Sequence, residues 1–249
     1  MNVIFVHGWA CGWQDWCYIS SILPDNIKVG IVKLRGSPDA VPLMGNISIT
    51  ECASDVITHA DDLGFDNFIL VGHSMGARIA IELAANYENR VTNLFLLDGS
   101  NLPENPKKAV SNLAKKIEQL GKIGWAKKTV KSMMVANLGE NQKYNIEQRA
   151  AQYPTNVLKA YYYAMSEWDC NKFLMSADRL SCPVSILQST TLDEHEVRQS
   201  VTTQSSSIWL NELRSRVPQS IITLVPNTGH FIMLEQPQLI AEQLLECIG

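Results

Sequence analysis

Three short stretches of this 249-residue chain carry residue types that can perform acyl transfer. Gly72-His73-Ser74-Met75-Gly76 lies between an apolar run, Asn67–Val71, and a helically spaced stretch, Met75–Tyr87. A serine flanked by glycines at a strand-to-helix turn sits on a strained backbone, and its hydroxyl stands above the sheet at a helix N-terminus. The pattern alone carries little weight; its place between strand and helix makes Ser74 a candidate nucleophile. His7-Gly8-Trp9 ends the first apolar run, where a glycine lets the next backbone N–H face a reaction centre. The N–H groups of Trp9 and Met75 would together form a two-donor oxyanion hole. Thr228-Gly229-His230-Phe231 follows the last apolar run, at a strand end from which His230 could reach the serine as general base. His7 reads as a structural hydrogen-bonder in its own turn, and His59, His73 and His195 as surface or turn residues.

These side chains need a scaffold, and the chain patterning supplies one. Val3–Val6, Ile27–Leu34, Asn67–Val71, Thr92–Leu97, Pro183–Gln188 and Ile221–Val225 are short apolar runs of the kind that form buried strands. Thr50–Leu63, Met75–Tyr87, Ser207–Val217 and Gln236–Cys247 have helical spacing. The alternation predicts an α/β fold with a mostly parallel sheet flanked by helices, whose ligand chemistry gathers at the carboxyl ends of the strands. From Ser100 to Leu180 only helical patterns occur, interrupted near Gly121, Gly124, Gly139 and Pro154. An insertion of this length is too long for a plain loop and reads as a helical cap (100–181) over a core made of 1–99 and 182–249.

Composition narrows the function classes. With 46% hydrophobic and 18% charged residues the chain can bury a full core. A formal net charge of −4 argues against nucleic acid as a partner. No apolar stretch approaches a membrane span, and the opening MNVIFVHGWA lacks a secretory leader, so a cytoplasmic address and no membrane partner are expected. The six cysteines form no Cys-x-x-Cys pair and read as free buried thiols; with five scattered histidines there is no zinc spacing, so no metal is expected. The cap segment carries a net charge of +6 on an otherwise acidic chain. Lys107, Lys108, Lys115, Lys116, Lys127, Lys128 and Lys131 fall in two of its helices, as a solvated face or as a face for an anionic partner. The cap's aromatic and Met residues, Trp125, Met133, Met134, Tyr161, Tyr162, Tyr163, Met165 and Trp168, read mostly as packing. A few, with Trp125, Met133 and Tyr162 foremost, are expected to line an apolar substrate pocket.

Turn, elbow, cap and late histidine, in that order over nearly the whole chain, resemble the α/β-hydrolase superfamily. The HGW turn and GHSMG elbow look like those of biotin-pathway esterases that demethylate a carrier-protein-bound pimeloyl ester, and like those of small carboxylesterases and carbon–carbon bond hydrolases. Two departures stand out. The chain begins at the strand before HGW, without the family's two leading strands, and Lys33-Leu34-Arg35-Gly36-Ser37-Pro38 replaces a turn that commonly carries an Asp and a Gly-x-Gly-x-Ser pattern. The resemblance implies that the triad acid follows one of two strands. After Pro183–Gln188 the loop reads Ser189-Thr190-Thr191-Leu192-Asp193, with Leu192 in the usual acid seat and Asp193 one place late. After Thr92–Leu97 stands Asp98, beside the nucleophile strand's end, where a carboxylate can orient His230. Asp98 is favoured and Asp193 is the alternative.

The resulting expectation is a serine hydrolase of carboxylic esters that needs no cofactor and acts on a small or carrier-bound substrate. An acidic acyl carrier protein is the partner the basic cap would suit. Carbon–carbon bond hydrolysis or a lyase step on the same residues, or a non-catalytic ligand-binding module, are the alternatives.

Overall fold

The computed structural model describes residues 1–40, 45–101, 105–134, 138–192 and 197–247. Its main sheet has six strands: β1 (Asn2–Val6), β2 (Lys28–Ile31), β3 (Phe68–His73), β4 (Val91–Leu97), β5 (Val184–Gln188) and β8 (Ile221–Leu224). Their spatial order is β2-β1-β3-β4-β5-β8 and every pairing is parallel. Helices cover both faces, so central strands are apolar on both sides; Val3 to Val6 are all fully buried. All six apolar runs of the sequence became strands. The second is shorter than its pattern: Val32 makes a last backbone hydrogen bond to Phe5 O at 3.0 Å, and Leu34 is buried beyond the end of the strand.

Strand order places the site. The chain steps from β1 outward to β2, then crosses back to β3 on the other side of β1. The crevice at such a reversal is where ligands bind in open parallel sheets. Here it is bounded by Val6 and its register partner Gly72.

The four helical stretches of the sequence correspond to α2 (Ile49–Asp62), α3 (Met75–Asn86), α8 (Ile208–Arg216) and α10 (Pro237–Glu246). Ser48 and Ser207 cap α2 and α8, accepting hydrogen bonds from Glu51 N and Leu210 N. Shorter elements had no readable period: a 3-10 turn at Trp13–Trp16, α1 (Cys17–Ile22) and α9 (Ile232–Glu235).

Between β4 and β5 the chain folds as α4 (Pro106–Met133), α5 (Glu140–Gln152), α6 (Thr155–Asn171) and α7 (Phe173–Asp178). Gly121, with φ at 66°, kinks α4 into two halves; Gly139 and Pro154 stand at the starts of α5 and α6. Gly124 breaks nothing and lies inside the second half of α4. Four contacts strap these helices to the strand-end loops. Arg149 pairs with Asp15, Tyr161 donates to Arg35 O, Tyr153 donates to Cys11 O at 2.7 Å, and the Trp9 indole donates to Leu158 O at 3.1 Å. Among the described residues no helix is long and apolar enough to cross a membrane.

Two expectations need correction. Cys11, Cys52 and Cys182 are buried free thiols, but Cys17, Cys170 and Cys247 are exposed, because each falls on the outer side of its helix or at a helix end. The stretch after β5, read as a loop, forms an antiparallel hairpin of β6 (Thr190–Leu192) and β7 (Arg198–Ser200). These strands are three residues long and largely polar, too short for a period-two signal.

Candidate active site

Ser74 occupies the turn between β3 and α3 with φ 56° and ψ −111°, a conformation that costs a non-glycine residue roughly 1–3 kcal/mol. Packing enforces it. A Cβ on Gly72 would lie 2.2 Å from the Gly76 carbonyl oxygen, and one on Gly76 would lie 2.3 Å from that of Val6. The two glycines let α3 start directly against β1 and β3, with Ser74 at the apex. The HGW turn abuts the same point: a Cβ on Gly8 would be 3.1 Å from Ser74 Cβ. Among the described residues, neither the Trp9 nor the Met75 backbone N–H has a hydrogen-bond partner. Met75 is the first residue of α3, where amides are left free and anions are favoured.

His230 follows β8 and reaches back to Ser74, its Nε2 lying 3.1 Å from Ser74 Oγ. Its Nδ1 lies 2.6 Å from Asp98 Oδ2. A carboxylate can only accept, so Nδ1 carries the proton and Nε2 offers its lone pair to the serine hydroxyl. This is the tautomer a general base needs. The His230 backbone N–H donates to Met133 O at 3.0 Å, tying this histidine to the end of α4.

Asp98 is fully buried and also strained, with φ 45°. Its Oδ1 accepts from Ser189 N, Thr190 N and Gln188 Nε2, at 2.9, 2.6 and 3.1 Å. Its Oδ2 accepts from His230, from Thr190 Oγ1 at 2.6 Å and from Arg198 Nη1 at 3.2 Å. Burial pushes this carboxyl up, but the hydrogen bond with His230, the nearby cations and Thr190 outweigh it and hold it at about 2. Asp98 is therefore ionised at any working pH. Asp193, the alternative acid, lies outside the described residues, as does His195.

His73 corrects the sequence reading. It is fully buried, its ring centroid 4.6 Å from that of His230, and its Nε2–H donates to the His230 carbonyl at 2.8 Å. Burial first, and the neighbouring His230 second, push its imidazole well below 6.5, so it stays neutral and packs beneath the His230 ring. His59 is half-buried in the last turn of α2. His7 behaves as expected: its Nδ1–H donates to Gly8 O and its Nε2 accepts from Leu34 N, while burial lowers it to about 4.

A cavity of about 800 Å³ opens over Ser74 and His230. Trp125, Met133 and Tyr162 all line it, with Trp9 and Met165. Trp9 meets the Trp125 ring edge-on at 5.4 Å and the Tyr162 ring at 5.2 Å. Tyr161 and Trp168 instead turn into the core and Tyr163 is exposed. Two lining cations escaped the sequence reading. Arg78, one turn beyond Ser74, is buried in an ion pair with Asp169 of α6 at 2.7 Å. Arg198 enters from β7. The position of Arg78 in GHSMGAR, one turn from the serine on the same helix face, was a usable signal; Arg198 had none, since its approach depends on the hairpin.

Comparison with known proteins bears on the family and the fold. A family model described as the alpha/beta hydrolase family matches residues 3–243. A soluble epoxide hydrolase from Corynebacterium sp. (strain C12) is 29% identical over 96 residues, which are 39% of this chain and 34% of that protein. The matched segment spans about a third or less of the length of the curated relatives. An esterase from Exiguobacterium antarcticum superposes with a TM-score of 0.82 at 16% identity, covering 100% of this chain and 91% of that one. A thermophilic esterase from Thermogutta terrifontis gives 0.80 at 23% identity, covering 100% and 89%. These two likenesses establish the fold. With sheet order, elbow and family match in agreement, the chain belongs to the alpha/beta hydrolase family.

Proposed function

We propose that the protein hydrolyses carboxylic esters through an acyl-enzyme, with Ser74 as nucleophile, His230 as general base and acid, and Asp98 as the orienting carboxylate. The observation that carries this reading is the Asp98–His230–Ser74 relay, with the imidazole lone pair directed at Ser74 Oγ. Ser74 Oγ attacks the acyl carbonyl as His230 Nε2 takes its proton. The Trp9 and Met75 amides receive the developing oxyanion, and the imidazolium hands its proton to the departing alcohol. Water then enters, gives a proton to His230 and attacks the acyl carbon, releasing the acid and restoring Ser74. The helices α4–α7 act as a cap that shapes the acyl pocket. The esterase names of the two structural neighbours fit the same chemistry, as do the aromatic and Met side chains around the serine.

An apolar wall favours substrates that can occupy it. Turnover of p-nitrophenyl hexanoate should exceed that of the acetate at least tenfold in kcat/KM, since each buried methylene is worth about 0.8 kcal/mol. Equal rates would argue against a cap-lined acyl pocket, and no turnover of either would argue against the esterase reading.

One observation favours a finer form, a carrier-borne ester such as a pimeloyl-carrier-protein methyl ester. Seven of the eight lysines of α4 are exposed, Lys122 being half-buried, and of these seven only Lys116 lies on the cavity wall. The other six face outward, where an acidic carrier would be steered toward the cavity mouth. Carrier-bound turnover at low substrate should then fall as salt is raised from 0.05 to 0.5 M, because screening lengths drop below about 10 Å. Turnover of a neutral small ester should stay flat; matching salt profiles would remove the carrier.

A further inference from the structure

Asp98 has more donors than orientation of His230 requires. Ser189 N, Thr190 N, Gln188 Nε2 and Thr190 Oγ1 already fix both carboxylate oxygens without any charge. Arg198 adds a full positive charge at 3.2 Å, on Oδ2, the same oxygen that receives the His230 Nδ1 proton. Its side chain is only 9% exposed and is fastened to Thr190 Oγ1 at 2.6 Å. The β6–β7 hairpin sets this position: Leu192 pairs with Arg198, and Thr190 lies two residues along the opposite strand. A buried cation is costly to keep unless it is paired, and among the described residues the carboxylate that Arg198 pairs with is the triad acid.

We infer that Arg198 is a positioning residue of the reaction, acting through Asp98: it clamps the acid and competes with His230 for the carboxylate's charge, which keeps His230 unprotonated and competent as a base in acid solution. The inference rests on the esterase reading for its kinetic form, but the electrostatics do not depend on turnover.

The field at His230 supports it. From β4 comes Asp98, which favours the imidazolium; from β7 comes Arg198 and from α3 Arg78, both of which oppose it; the neighbouring His73 of β3 is neutral. Glu235 of α9 accepts from Gly229 N beside the base, and burial raises its carboxyl toward the neutral form. Burial first and Arg198 second lower the imidazole from 6.5 to about 4, against the pull of Asp98. Asp98 alone would stabilise the imidazolium, as an orienting carboxylate does. Arg198 offsets that stabilisation.

The test is the pH profile of kcat/KM for p-nitrophenyl hexanoate in wild type, Arg198→Gln and Arg198→Lys. His230 must be neutral to accept a proton, so activity is lost as pH falls through its pKa, which in the wild type lies below 6.5. Arg198→Gln keeps a donor but removes the charge, and its acid limb should move up by about one unit, costing about tenfold at pH values below the limb. Arg198→Lys should leave the limb near its wild-type position. A purely structural role predicts equal loss at every pH with an unmoved limb in both variants, and that result overturns the inference. NMR titration of the His230 ring in the same three proteins reads the shift without catalysis. A raised His230 pKa in Arg198→Gln without ester turnover upholds the inference while removing the esterase reading. Turnover with an unmoved pKa does the reverse.

Discussion

Asp98→Asn lowers kcat by about four orders of magnitude while the protein stays folded. The amide keeps the volume of the carboxylate and can still accept at Oδ1 from Ser189 N and Thr190 N, so the backbone around it has no reason to move. At the Oδ2 seat the outcome differs. If the Asn nitrogen takes that position it becomes a donor facing His230 Nδ1, and the imidazole must then carry its proton on Nε2, pointing at Ser74. The serine loses its base. Thr190 Oγ1 and Arg198, which now donate to Oδ2, would also lose their acceptor. Steady-state kinetics with a native circular-dichroism spectrum would check this. A loss of less than tenfold would show that another carboxylate, Asp193 being the one at hand in sequence, orients the base.

The second large effect is on stability. Gly76→Ala places a methyl group 2.3 Å from the Val6 carbonyl oxygen and 2.9 Å from that of His7, both backbone atoms of β1 and its turn. Backbone cannot rotate aside as a long side chain can, so α3 must back away from the sheet. Overpacking of this kind costs about 3 kcal/mol. The displacement also separates Ser74 from the Trp9 turn, so activity should fall more than stability alone explains. Gly124→Ala provides the contrast. That glycine lies inside a helix with only Leu120 Cβ at 3.5 Å, and alanine there should stabilise by about 0.5–1 kcal/mol. Thermal unfolding of both variants measures the difference. Equal Tm values would mean that the elbow is not packed as described.

The sheet and its flanking helices were legible because buried parallel strands write themselves as unbroken apolar runs, and surface helices as a 3.6-residue stripe. Ser74 and His230 were legible because glycines mark the turns that present them. Asp98 was legible only in part: an aspartate at a strand end resembles any turn-former, and what distinguishes it is the set of donors that converge on it from β6, β7 and His230. That convergence is a property of the tertiary fold. His73 was misread for a related reason. Its position within the elbow suggested an exposed turn, yet the turn is pressed between β1 and the His230 loop, and the ring is sealed under the base. Arg198 had no local signature at all, since a three-residue strand is too short to show one.

The central claim is that Ser74 is an activated nucleophile served by His230. Titration with a serine-directed p-nitrophenyl phosphonate, followed by intact-mass and peptide mass spectrometry, tests it most directly. The account predicts one adduct per chain, on Ser74, with labelling slowed by orders of magnitude in His230→Ala. An unlabelled Ser74 under conditions that label other serine hydrolases, or labelling at the same rate without His230, would contradict it.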